Sequence, residues 1–119
     1  MKILVVEDHS ATRALVVRLL GGAFPGIQLH EADNAEDALR FCGTVAPALV
    51  VMDIALPGMN GIEATRRIKA LRPEILVVMH SGNDVPIYRE ESIAVGAAAF
   101  VGKGRTSKEL VRTIASLLP

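Results

Sequence analysis

Three acidic residues stand where short apolar runs end. Ile3-Leu4-Val5-Val6 is followed at once by Glu7-Asp8, and Ala48-Leu49-Val50-Val51-Met52 by Asp53, after which Ile54-Ala55-Leu56-Pro57-Gly58-Met59-Asn60-Gly61 turns through Pro and Gly. Runs this short and apolar read as strands buried on both faces, so the carboxylates arrive at strand carboxyl ends. In a parallel α/β sheet that edge is where ligands bind. Carboxylates gathered there repel one another unless a cation or a shifted protonation relieves them. Oxygen ligands on loop ends suit a hard cation, and Mg²⁺ in particular takes one or two carboxylates together with waters and a substrate phosphate. Solvated helix-capping acids would occupy the same positions with no ligand at all.

Two more strand ends add complementary groups. Glu74-Ile75-Leu76-Val77-Val78-Met79-His80 runs into Ser81-Gly82-Asn83, which supplies a hydroxyl and a glycine N–H, and Ala98-Ala99-Phe100-Val101 runs into Gly102-Lys103-Gly104, which supplies an ammonium. A carboxylate nucleophile, hard-metal ligands, neutral donors and a lysine point charge are the parts phosphoryl transfer needs, because its catalysis is mostly positioning and charge stabilisation.

Helical patterns separate the strand-like runs, giving the order βαβαβαβαβα. The first helix is expected from about Ala11 to Leu20, with Ala11, Leu15 and Leu19 inward and a stop at Gly21-Gly22. Ile27 to Glu31 forms the second strand, and Asn34 caps the helix after it, whose apolar face is Ala35-Ala38-Leu39-Cys42. Asn60 or Gly61 opens the third helix, with Ala64, Ile68 and Leu71 facing the sheet and Pro73 ending it. Pro86 to Val95 makes a fourth helix with a thin apolar stripe, expected to be the most weakly packed and therefore the most available to move; close packing of its Ala-containing face is the alternative. Thr106-x-x-Glu109 is a capping box for the last helix, with Leu110, Ile114 and Leu117 inward. Regular alternation of this kind specifies right-handed crossovers and a parallel sheet covered on both faces.

The 119 residues suit one compact domain, 1–119, without repeats or low-complexity linkers. Thirteen basic residues balance thirteen acidic ones, which leaves no electrostatic footprint for direct nucleic-acid binding or a membrane surface. Only four apolar residues lie between Lys2 and Glu7, too few for a signal-peptide core, and no run approaches membrane-spanning length, so a cytoplasmic location is expected. Cys42 is the single cysteine, which excludes a disulfide or zinc framework and reads as a core thiol. Among the histidines, alternation along the strand turns His80 away from the Ser81 side chain. His9 reads as a helix-start residue rather than a ligand of a hard cation, and His30 has no assigned role.

Taken together, these residues resemble a response-regulator receiver domain, the CheY-like phosphoacceptor of two-component signalling. The resemblance covers essentially the whole chain and rests on Glu7-Asp8, on Asp53 within D-I-A-L-P-G-M-N-G, and on Ser81, Phe100 and Lys103 in order. It implies a flavodoxin-like (βα)5 three-layer sandwich with a parallel five-stranded sheet in the order 2-1-3-4-5. It also implies that Asp53 takes a phosphoryl group from a phosphohistidine of a sensor histidine kinase or phosphotransfer protein, the receiver catalysing much of its own phosphorylation and dephosphorylation. Asp8, Asp53 and the Ala55 backbone carbonyl would bind Mg²⁺, with Mn²⁺ as a substitute and Glu7 reaching the ion directly or through water. Lys103 would pair with Asp53 and then with a phosphoryl oxygen. Ser81 and the Gly82 N–H would hold another, and Ser81 and Phe100 would switch the face of the fourth helix, fifth strand and last helix for an output domain or a homodimer.

Several positions depart from the usual pattern. Gly104 replaces the proline after the lysine, so a trans bond and a more mobile Lys103 loop are expected; Phe100 replaces Tyr, and Ala55 and Asn83 fall at variable positions. The Asp53 motif and the proline-free lysine loop look like the NarL/FixJ subfamily, whose receivers usually precede a helix-turn-helix domain, and the chain reads either as stand-alone or as one part of a longer regulator. A Rossmann dinucleotide site would need a Gly-rich turn where Glu7-Asp8-His9-Ser10 stands. A haloacid-dehalogenase-like phosphatase would need D-x-D where Asp53-Ile54-Ala55 stands. The remaining alternative is a phosphorylation-independent interaction module on the same fold, which would have no physical need to keep the repulsive cluster.

Overall fold

A computed structural model describes residues 1–82, 86–104 and 107–119. Its elements alternate as β1 Lys2–Val6, α1 Ser10–Ala23, β2 Gln28–Ala32, α2 Ala35–Thr44, β3 Leu49–Met52, α3 Gly61–Leu71, β4 Leu76–Ser81, α4 Pro86–Ala94, β5 Ala99–Gly102 and α5 Ser107–Leu117. The strands form one parallel sheet in the order β2-β1-β3-β4-β5. The apolar runs sort by alternation onto two cores. Leu4, Val6, Val50, Met52, Val77, Met79 and Phe100 pack with α2 and α3 residues on one face; Ile3, Val5, Leu49, Val51, Val78 and Val101 pack with α1 and α5 on the other. Burial on both faces is why these strands carry no polar alternation.

The helices begin and end for local reasons. Asn34 caps α2 by accepting from the Asp37 N–H at 2.8 Å, and Asn60 caps α3 by accepting from the Glu63 N–H at 2.9 Å, which makes Gly61 the first helical residue. Cys42 is fully buried among Ala35, Ala38 and the sheet, and burial raises its thiol pKa to about 11. The Thr106 capping box and Asn83 lie outside the described residues.

Two inward faces differ from expectation. In α1 the buried residues are Val16 and Leu20, whereas Leu15 is 65% exposed, Ala11 is exposed and Leu19 only half-buried. Residues 14–20 are apolar almost all round, so periodicity there admits more than one face. The helix also runs through Gly21-Gly22 to Ala23, closed by Phe24 N–H on Leu20 O at 2.9 Å; a glycine costs a helix only about 1 kcal/mol. In α3 Ala64 and Ile68 are buried as expected, but Leu71 is 57% exposed, at the last position of the helix beside Gly43 of α2. β2 is displaced by one residue, to Gln28–Ala32.

Candidate functional site

The sheet register builds the site. Val6 lies beside Met52 in the β1–β3 ladder, so Glu7 and Asp53 leave their strands side by side, and the Asp53 N–H continues the ladder onto Val6 O at 3.0 Å. Ser81 lies beside Gly102, and the Lys103 N–H bonds Ser81 O at 2.7 Å, which brings the Lys103 stem to the same edge. Oxygens of Glu7, Asp8 and Asp53 and a ring nitrogen of His9 fall within 4.8 Å of one another.

Glu7 and Asp53 are both buried, each 3% exposed. Lys103 Nζ is ion-paired to Glu7 Oε1 and stands 3.4 Å from Asp53 Oδ2. The ammonium therefore pairs with Asp53, as expected, and with Glu7 as well. Burial pushes the Glu7 carboxyl up, but the Lys103 hydrogen bond, the His9 N–H and proton sharing with Asp53 outweigh it and hold Glu7 at about 2. Asp53 goes the other way, to about 6, because burial and the Glu7 charge exceed the help from Lys103. Burial opposes the Lys103 charge, yet the Glu7 hydrogen bond and Asp53 raise its pKa above the ordinary lysine range.

Asp8 is half-exposed, and its Oδ1 is buried without a hydrogen bond, 3.3 Å from His9 Nδ1. A buried carboxylate oxygen lacking a donor is expensive to leave that way, and beside two more carboxylates it fits a hard divalent cation. His9 is the N-cap residue of α1; its ring also lies 3.3 Å from Glu7 Oε2. Ala55 is exposed in the loop after β3, Ser81 is buried and Gly82 is exposed at the end of β4. Phe100 is 8% exposed, facing the α2/α3 core. The Lys103–Gly104 bond is trans, as are all described peptide bonds. His80 is half-buried on the opposite face of β4 from Ser81, and burial, followed by the Lys103 charge, lowers its pKa to about 4.

Two supporting contacts escaped the sequence reading. Arg13 of α1 donates from Nη1 to Glu7 O at 2.8 Å and from Nε to Glu31 Oε1 at 2.9 Å, tying α1 to the ends of β1 and β2. Its position one turn into a helix that follows an acidic pair was the available signal. Gly61 packs on the Asp53 backbone so tightly that a Cβ would overlap it; a glycine at the first turn of a helix, where glycine is unfavourable, hints at such an approach.

The family model for the response regulator receiver domain matches residues 3–115. This chain belongs to that family. The receiver is 34% identical over 115 residues to response regulator GacA of Pseudomonas aeruginosa, spanning 96% of this chain and 53% of GacA. It is 35% identical over 121 residues to response regulator UvrY of Escherichia coli, spanning 98% of this chain and 54% of UvrY. It thus covers about half the length of these relatives. The crystal structure of a LuxR-family two-component response regulator from Aurantimonas sp. SI85-9A1 superposes with a TM-score of 0.92 at 32% identity, over 98% of this chain and 83% of that one. The resemblance to NarL/FixJ-type receivers and the sheet order both hold. No described helix of the receiver is long and apolar enough to cross a membrane.

Proposed function

We propose that the receiver accepts a phosphoryl group on Asp53 from a phosphohistidine of a sensor histidine kinase or phosphotransfer protein. The observation that carries this reading is the position of Lys103, whose ammonium stands between the buried Glu7 carboxylate and Asp53 and so faces the place where phosphoryl charge would arrive. With its carboxyl at about 6, Asp53 is mostly ionised at neutral pH and has an oxygen lone pair available. That oxygen forms the new P–O bond as the P–N bond breaks; the electron pair leaves on the donor imidazole, which takes a proton from solvent. Lys103 then exchanges a carboxylate for a phosphoryl oxygen, and Ser81 Oγ with the Gly82 N–H holds a second.

Glu7, Asp8, Asp53 and the Ala55 carbonyl are the groups we assign to Mg²⁺, supported by the clustered oxygens and the orphaned Asp8 Oδ1. When bound, such an ion neutralises charge on nucleophile and phosphoryl group. Drawing Ser81 toward Asp53 vacates space into which Phe100 turns, and the face of α4, β5 and α5 then changes for an output domain or a second receiver. In support, α4 buries only Ser92 and exposes Ile87 and Ile93.

The test is incubation with Mg²⁺ and a small acyl phosphate, followed by intact-mass measurement. One hydroxylamine-labile phosphoryl group is expected, absent from Asp53→Asn. Label on a Ser, Thr or His would overturn the assignment, and no label at all would favour the phosphorylation-independent module.

A further inference from the structure

The contact between α4 and β5 contains two terms of opposite sign. The Arg89 guanidinium lies over the Phe100 ring, 4.7 Å from its centroid, and both side chains are at least half-buried. A cation in that position is attracted by the ring's quadrupole, more strongly as water is excluded. One turn further along the same face, Ser92 is fully buried with a hydroxyl that has no hydrogen-bond partner among the described residues. A buried hydroxyl without a partner favours any arrangement that returns it to water. Phe100 has no hydroxyl of its own, so no phenolic hydrogen bond fixes the ring inward; Arg89 is the polar group that the structure places on it.

We propose that Arg89 is the positioning residue that sets the resting state of the switch: it latches Phe100 inward and α4 onto β5, while Ser92 biases α4 toward release. The pair therefore tunes how much phosphoryl-driven pull is needed, because a two-state element responds to the sum of its biases. This inference rests on the reading of Phe100 as the moving ring, but its test needs no phosphoryl group.

The full chain is labelled with fluorophenylalanine, so that Phe24 and Phe41 serve as internal references for Phe100. ¹⁹F spectra and amide exchange of α4 are recorded without donor for the parent, Arg89→Met, Arg89→Lys and Ser92→Ala. Arg89→Met is expected to move the Phe100 resonance alone and to speed α4 exchange about fivefold, the factor that corresponds to a partly exposed cation–π contact. Arg89→Lys restores part of the protection, and Ser92→Ala slows exchange below the parent. Unchanged exchange in Arg89→Met, no restoration by Lys, faster exchange in Ser92→Ala, or shifts at Phe24 and Phe41 as well would each overturn the latch. A separate arm adds acyl phosphate to the parent. If Phe100 stays put there while Arg89→Met still releases α4, the phosphoryl-driven switch fails and the latch stands.

Discussion

Gly61, the first residue of α3, lies directly against the backbone of Asp53: a Cβ there would overlap the carbonyl oxygen and come within 2.8 Å of the carbonyl carbon and 3.0 Å of Ile54 Cα. The obstacles are all backbone, which cannot swing aside like a side chain. By helix propensity alone alanine would gain about 1 kcal/mol at a helical position, but overpacking against a fixed backbone costs about 1–3 kcal/mol. Gly61→Ala is therefore expected to lower stability in urea by up to about 2 kcal/mol net and to slow acyl-phosphate labelling of Asp53. An unchanged midpoint with a parental labelling rate would show that the loop yields freely.

Asp53 makes the receiver's stability fall with rising pH. Its folded pKa of about 6 exceeds the unfolded value of 3.8, so the native state binds more protons between those values, and native stability declines through that window. At about 1.4 kcal/mol per pKa unit, Asp53→Asn should gain about 1–3 kcal/mol above pH 7 in chelator and gain little below pH 4. Glu7 works in the opposite sense: held at about 2, it stabilises the fold above its ordinary pKa and loses that contribution only as pH falls toward 2. Denaturation midpoints across pH 3–8 for parent and Asp53→Asn check both signs.

Divalent cation is expected to stabilise the parent by mass action, about 2.7 kcal/mol at a hundred times the dissociation constant, and chelation to remove that gain. Asp8→Ala should lose most of the Mg²⁺-dependent increment and label slowly, while its metal-free stability matches or exceeds the parent's because one carboxylate has gone from the cluster. Thermal melts with Mg²⁺ and with chelator decide it; an equal Mg²⁺ shift in both proteins would remove Asp8 from the ligand set.

Ala46, just past the end of α2, has φ of 53°. A left-handed backbone costs a residue with a Cβ about 1–2 kcal/mol, and glycine avoids this at some expense in unfolded-state entropy. Ala46→Gly should raise stability by about 0.5–1 kcal/mol with labelling unaffected.

The strand ends and their acids were legible because buried parallel strands leave a continuous apolar signal that stops abruptly at Glu7 and Asp53, and at His80 just before Ser81. Caps at Asn34 and Asn60 were legible because they act within one turn. The inward face of α1 was not, since Ala14 to Leu20 is apolar nearly all round and only the sheet selects Val16 and Leu20. Nor was the pairing of Lys103 with Glu7, or the reach of Arg13 to Glu7 O, because each is made through a long side chain whose direction local pattern does not set.

The order of the strands also separates what must hold still from what must yield. Glu7, Asp8 and Asp53 extend from β1 and β3, interior strands bonded on both sides, whereas Phe100 lies in β5, a rim strand bonded only to β4, and Lys103 follows directly after it. An interior strand cannot slide without breaking two ladders; a rim strand need strain only one. The receiver thus behaves like a vice with one fixed jaw. The groups assigned to binding sit on the middle strands of the sheet, and the proposed switch is expected to displace the β5 side.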